Sequence, residues 1–220
     1  LFLLRLEDLT PDAADRWLIA RLAVLIGRRD HAVWVARRAG ADGVILLEDG
    51  WPTPFPVPNE GAEPALVNAI TRQESNFELG AVSSANARGP MQLLPATAAG
   101  VARRLGIPHN VGMLTTDAAH NMRLGSAYIA DRMTRYDNAM PLAAAAYNAG
   151  GGRVDEWLST YGDPRVPNGP DIRDWIEQIP FTETRNYVQR VVENTVVYRA
   201  RNPATAALPH PLAGLLEGRR

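Results

Sequence analysis

Glu74 is the side chain whose setting is best suited to chemistry. Ile70 lies four residues before it, Leu66 eight before it and Phe77 three after it, which places all four on one helical face. A carboxyl group on an apolar face loses hydration, which disfavours its charged form and favours the protonated acid near neutral pH. Such an acid is a proton donor suited to the oxygen of a glycosidic bond. The competing assignment is an ordinary helix-end glutamate, its tip in water or paired with Arg72 or another cation. Periodicity alone does not separate the two.

The chain that follows carries groups of the kind that bind sugars. Ser83, Ser84, Asn86 and Arg88 precede the run Gly89-Pro90-Met91-Gln92-Leu93. Gly89 and Pro90 set a tight backbone, and Gln92 offers an amide beside apolar Met91 and Leu93. Planar amides and hydroxyls pair with ring substituents, while apolar side chains face ring carbons. Leu93 reads better as core filling. Further on, Ala146-Tyr147-Asn148-Ala149-Gly150 closes a helix at a glycine-rich turn, where Tyr147 and Asn148 can project polar groups towards a cleft. A tyrosine so placed is also commonly a core residue with a satisfied hydroxyl.

Helices must position these groups, and helical signals dominate after Pro64. Helix is expected over 63–77, from Pro95 to a stop at Gly106, over 117–136, and from Pro141 through Ala146 to the glycines 150–152. Asp171 is placed to cap a short helix carrying Trp175. Thr182 is placed to cap a last long helix, on which Val188, Val191, Val192, Thr195, Val196 and Tyr198 form a buried stripe. Upstream, Pro11 and Asp12 open a helix that carries Trp17, Leu18, Arg21, Leu22 and Leu25 and stops at Gly27. A second helix runs over 31–38 and ends at Gly40. Residues 44–47 are the main β-like stretch. Proline at alternate positions from Pro52 to Pro58 excludes helix and central strand, and reads as an extended linker. The expected organisation is a small helical segment plus linker over residues 1–60, a mainly α domain over 61–202, and a tail over 203–220.

Composition narrows the function classes. Lys and Arg total 23 against 24 Asp and Glu, so the basic excess usual in nucleic-acid binders is absent. The lack of cysteine removes disulfides, thiolate metal sites and a cysteine nucleophile. His31, His109, His120 and His210 are scattered along the sequence, with no pair at i, i+4. No metal or other cofactor is expected. Gly150-Gly151-Gly152 is read as following a helix, the wrong context for a phosphate loop. The apolar stretch over 17–27 is interrupted by Arg21 and is short for a membrane span. No leader peptide is read at the start, and the chain is taken as a fragment or mature form.

Four runs together resemble the soluble lytic murein transglycosylases. They are Arg72-Gln-Glu-Ser-Asn-Phe77, Gly89-Pro-Met-Gln-Leu-Leu-Pro-Ala-Thr-Ala98, Ala146-Tyr-Asn-Ala-Gly150 and Ile179-Pro-Phe-Thr-Glu-Thr-Arg-Asn-Tyr-Val188. Their order is the family's, and the similarity covers residues 62–202. The resemblance implies a lysozyme-like helical domain with a long substrate cleft, related to goose lysozyme and preceded by the last helices of a truncated superhelix. It implies that Glu74 is the catalytic acid and base. It further implies substrate contacts for Ser83, Met91, Gln92, Ala146, Tyr147, Asn148 and Glu183. Pro90 stands where the family commonly has Leu, and Asn86 where Gly is frequent.

A glycosidase of the ordinary kind needs two carboxylates. Glu78, Asp117 and Asp131 read as solvated or helix-surface groups, and Glu183 opens a helix whose dipole stabilises it. The resemblance implies a transglycosylase that needs one carboxylate, cutting between N-acetylmuramic acid and N-acetylglucosamine and leaving a 1,6-anhydro end. The alternatives are a goose-type lysozyme that uses water, or a glycan-binding module without catalysis. Peptidoglycan strands are the implied partner, nucleic acid is not one, and the periplasm or cell envelope is the implied location.

Overall fold

The computed structural model describes residues 2–9 and 12–216. The helix start expected at Pro11, and the last four residues of the tail, lie outside the described residues. In chain order the helices are α1 (Phe2–Leu9), α2 (Ala13–Leu25), α3 (Arg29–Ala41), α4 (Leu47–Gly50), α5 (Pro64–Ser75), α6 (Pro95–Leu105) and α7 (Met113–Thr116). They continue as α8 (Ala118–Arg135), α9 (Met140–Ala149), α10 (Gly151–Tyr161), α11 (Ile172–Glu177), α12 (Thr182–Arg201) and α13 (Ala213–Leu216). Among the described residues there is no strand, only isolated bridges pairing Arg88 with Val82 and with Leu93. The fold is mainly α, as expected.

The chain divides into two compact units, Leu1–Pro56 with Glu74–Met122 and Val57–Gln73 with Arg123–Arg220. In the first, α2 and α3 pack through a core rich in alanine, with Ala20, Ala23, Ala32, Ala36 and Ala39 all buried beside Ile19 and Val35. Small side chains let helix backbones approach closely. A Cβ on Gly50 would lie 2.8 Å from the Ala36 methyl, which is why α4 tolerates no larger residue there. Residues 44–47 form no strand. Leu46 is buried in the α2–α3 core, Val44 packs against it, and the chain then turns into α4.

In the second unit the core is the alanine-rich α9, buried from Met140 to Ala146 and packed on α12 and α10. The stripe on α12 is buried at Val188, Val191, Val192, Thr195 and Tyr198, and half-buried at Val196. α10, α11 and the start of α12 add an aromatic group in which Trp157 meets Trp175 and Phe181 edge to face.

Several helix ends follow their sequence signals. Gly106 closes α6 in the left-handed conformation at φ 64°. Asp171 caps α11 by accepting the Arg173 N–H at 2.8 Å. Others differ. α12 begins at Thr182 itself, with Phe181 at the cap position and no side-chain cap bond. α5 ends at Ser75, because Asn76 and Phe77 take positive φ values of 53° and 69°, so Phe77 does not extend the helical face of Glu74. α10 was not anticipated. Gly150 breaks the chain at φ 89°, but Gly151 and Gly152 already belong to α10, whose Val154 and Trp157 are buried. The glycine run therefore precedes a helix as well as following one. No helix among the described residues is long and apolar enough to cross a membrane.

Candidate active site

Glu74 occupies the last turn of α5, after the buried positions Leu66 and Ile70, and is itself half-buried. The two residues after it fix where the helix stops. Ser75 Oγ donates to the Pro90 carbonyl at 2.7 Å, and Arg37 Nη1 donates to Asn76 Oδ1 at 2.9 Å. Phe77 is 4% exposed and packs against Phe55, ring centroids 6.2 Å apart. Two consecutive left-handed residues are costly for non-glycine side chains, and these contacts supply the offset. The result is a half-buried carboxyl group on a fixed helix end.

The segment from Ala81 to Leu93, in the same unit, is a loop closed on itself. Arg88 exchanges backbone hydrogen bonds with Leu93 at 3.0 and 3.1 Å, and Gly89 donates to Ala81 at 2.8 Å. Ser83 is exposed; its hydroxyl accepts the Ala87 N–H at 3.0 Å. Gln92 sits at φ 47°, and its amide nitrogen donates to the carbonyls of Gly89 (2.8 Å) and Ala81 (3.3 Å). The amide expected to face sugar thus spends its N–H groups inside the loop and keeps Oε1 as its acceptor. Met91 differs from expectation. It is fully buried, so its side chain fills the core beside Leu93 instead of presenting a sugar-facing surface.

The residue that holds this loop was missed. Asn121, fully buried on the first turns of α8, accepts the Met91 N–H and donates to the carbonyls of Arg88 and Leu114, each at 3.0 Å. Its only sequence signal is an amide at helical spacing from apolar Leu124. The neighbouring His120 was read as isolated. In the fold its Nε2 lies 2.9 Å from His109 Nδ1, the rings stacked with centroids 5.2 Å apart. A connection between helices closes eleven residues that sequence spacing leaves apart. Among the described residues no group of three or more His, Asp or Glu could hold a metal ion.

In the second unit, Ala146 is buried and Tyr147 and Asn148 are half-buried at the end of α9. The Tyr147 ring meets Tyr128 at 5.2 Å, and Arg132 covers the other ring of that pair at 4.9 Å. Asn148 Oδ1 accepts the hydroxyl of buried Thr184 at 2.7 Å. Glu183, next to that threonine, is exposed in the first turn of α12, where a negative charge is favoured. The structure thus groups Glu74, Ser83 and Gln92 on one unit and Ala146, Tyr147, Asn148 and Glu183 on the other.

Charge in the first unit centres on the α2–α3 turn. Burial pushes the Asp30 carboxyl up, but the hydrogen bonds and charge of Arg28, with His31, outweigh it and hold it below the usual carboxylate range. Burial pushes the His31 imidazole down.

The family model of the transglycosylase SLT domain matches residues 58–166, and that of the soluble lytic transglycosylase helical domain matches residues 178–202. The chain belongs to the soluble lytic transglycosylase family. A Haemophilus influenzae relative is 42% identical over 131 residues, covering 60% of this chain and 21% of the relative. The soluble lytic murein transglycosylase of Escherichia coli is 36% identical over 133 residues, 60% of this chain and 20% of that protein. Its 70 kDa crystal structure superposes with a TM-score of 0.76 at 29% identity, over 93% of this chain and 32% of that one. Lytic transglycosylase Slt of Pseudomonas aeruginosa, solved as an inactive glutamate-to-glutamine mutant, gives 0.73 at 34% identity, over 85% and 30%. This chain therefore spans about a fifth of the curated relatives it matches.

Two departures from the transglycosylase pattern have local explanations. Asn86 takes φ 63°, a conformation that asparagine tolerates better than other non-glycine residues, so it serves where glycine is frequent. Pro90 is buried, and the group it contributes is its carbonyl, the acceptor for Ser75.

Proposed function

We propose that this chain is a peptidoglycan lytic transglycosylase with Glu74 as its single acid and base. The observation that carries the reading is the half-buried Glu74 on a helix end fixed just after it by the Ser75–Pro90 and Asn76–Arg37 bonds, in a chain of this family. The inactivity of a glutamate-to-glutamine mutant of the Pseudomonas aeruginosa enzyme is in keeping with it. Peptidoglycan places the work in the periplasm or cell envelope, and an extended glycan strand calls for a long cleft.

The protonated Glu74 gives its proton to the oxygen that joins N-acetylmuramic acid to N-acetylglucosamine, and the C1–O bond breaks. The substrate's N-acetyl oxygen supports the electron-poor C1. The Glu74 carboxylate then takes the proton of the same sugar's C6 hydroxyl, and O6 closes on C1 as a 1,6-anhydro ring. Atoms balance without water. The attacking oxygen belongs to the same sugar, so its effective concentration is high and a second carboxylate is unnecessary. Ser83 and Gln92 Oε1 are substrate contacts on the first unit. On the second, Tyr147, Asn148, the Ala146 backbone and Glu183 are substrate contacts by their motif and, for the side chains, their partial or full exposure.

Mass spectrometry of products from purified peptidoglycan tests this. The expected products end in 1,6-anhydro-N-acetylmuramic acid and vanish with Glu74→Gln, while the circular dichroism spectrum stays unchanged. Reducing ends one water heavier, or substantial turnover by the mutant, would overturn the reading.

A further inference from the structure

Tyr128 and Arg132 lie four residues apart on one face of α8, and both are half-buried. The Tyr128 ring meets Tyr147 at 5.2 Å, and the Arg132 guanidinium lies over the Tyr128 ring at 4.9 Å. All three residues belong to the second unit. A cation thus sits one aromatic ring away from Tyr147, a residue proposed above to touch substrate.

Nothing in the fold answers that cation with an acid. Its neighbours are answered: Arg135 pairs with Asp155, and Arg153 with Glu156. Arg132 forms no ion pair and no side-chain hydrogen bond among the described residues, and its Nε is buried without a partner. A Cβ on Gly151 would lie 3.6 Å from Arg132 Nη1, so the guanidinium reaches the start of α10, whose first turn holds no acidic residue. The positive end of a helix adds to the cost of a cation there. A half-buried guanidinium against like charge and short of acceptors loses hydration without recovering it. An anion brought by the substrate restores the balance, and a planar carboxylate matches the guanidinium fork.

We propose that Arg132 binds the lactyl carboxylate of an N-acetylmuramic acid residue, which is free only where the glycan carries no peptide. Where a peptide is attached, that carboxylate is an amide and brings no charge. N-acetylglucosamine has no acid group. The lactyl arm is joined to the sugar ring itself, so a ring lodged at Tyr147 and Asn148 carries it at a short, fixed reach. Arg132 is therefore a specificity residue that favours bare glycan. The inference rests on the transglycosylase reading, which brings N-acetylmuramic acid to Tyr147.

The test uses the full chain and three forms of purified murein strand: peptide-bearing, stripped by an amidase to the free lactyl carboxylate, and stripped and then methyl-esterified. Arg132→Met keeps an apolar stem over Tyr128 and removes the charge. It is expected to raise KM for stripped strands about tenfold with kcat near native, and to leave peptide-bearing and esterified strands unchanged. For the native chain, esterification alone is expected to raise the KM of stripped strands about tenfold. In a Glu74→Gln background, calorimetry should show the same loss of affinity for stripped strands when Arg132→Met is added. Equal effects of Arg132→Met on all three strands would assign it to packing on Tyr128 and overturn the proposal, as would a native chain indifferent to esterification. If stripped strands bind through Arg132 but the native chain cuts no strand, the transglycosylase reading falls and this site stands. Cutting that is indifferent to Arg132 would do the reverse.

Discussion

Asn121 Oδ1 accepts the backbone N–H of Met91 at 3.0 Å, and the same amide donates to the Arg88 and Leu114 carbonyls. One buried side chain thus satisfies three backbone groups, two of them in fully buried bonds. The loop it holds contains Gln92 and supplies, through Pro90, the acceptor for Ser75 beside Glu74. Asn121 touches no reacting atom in the proposed mechanism; it is a positioning residue.

Replacing Asn121 with Leu keeps the branched shape and strands the Met91 N–H and the Leu114 carbonyl, while the Arg88 carbonyl keeps its bond from the Leu93 N–H. Each costs about 1–3 kcal/mol, so a loss of roughly 2 kcal/mol or more is expected in urea unfolding. Asn121→Asp keeps the bond to Met91 but turns a carboxylate oxygen towards two carbonyls, and is expected to be no milder at neutral pH. A loss below about 1 kcal/mol for Asn121→Leu would mean that the loop finds other partners.

Gly89 shows the same constraint from the backbone side. It sits at φ 73°, and a Cβ there would lie 1.9 Å from the Leu114 carbonyl and 2.3 Å from Asn121 Nδ2. Neither atom can retreat, because each is bonded to the other. Gly89→Ala therefore combines left-handed strain with overlap, and about 3 kcal/mol of destabilisation is expected. Gly100→Ala, on α6 with open space around it, serves as the control and is expected to be neutral or stabilising in the same melt.

The sequence made some of this legible and hid the rest for physical reasons. Glu74 on an apolar helical face, the Gly106 stop and the Asp171 cap are local signals, each carried by residues within a turn of one another. Asn121 with Met91, Thr184 with Asn148 and His109 with His120 join residues 11 to 36 positions apart. Such pairs depend on how helices pack, which a single sequence does not display. Phe77 misled because hydrophobic spacing continued past the point where Asn76 and Phe77 leave the helix. At α10 the opposite happened: three glycines masked a helix whose support comes from Val154 and Trp157.

Acid sensitivity should report on Asp163. Arg165 grips this carboxylate with bonds of 2.6, 2.9 and 3.2 Å, and also reaches Asp137 at 2.8 Å. Those hydrogen bonds hold the Asp163 carboxyl below its ordinary value of 3.8. A carboxyl with a depressed folded value stabilises the fold above the unfolded value and ceases to do so as pH falls through the folded one. Arg165→Met is thus expected to be less stable than the native chain at pH 5 to 7, by no more than about 1 kcal/mol because the pair is partly exposed. The difference should close well below pH 3.8. A gap that persists there would assign the effect to lost packing of the arginine stem.

The Thr184–Asn148 bond tests whether Asn148 works through its orientation. Thr184 is 2% exposed, and its hydroxyl donates to Asn148 Oδ1 at 2.7 Å. Thr184→Val has the same shape and removes the donor, leaving the amide free to turn over at a cost of about 1 kcal/mol in stability. If Asn148 holds substrate through one fixed face of its amide, KM rises by about fivefold while kcat stays near the native value, since the bound and transition states lose the same contact. Thr184→Ser keeps the donor and should restore KM. Packing alone predicts the opposite order, because valine fills the buried site and serine leaves a methyl-sized gap. The ranking of these two variants in KM therefore separates an oriented substrate contact from a structural hydrogen bond.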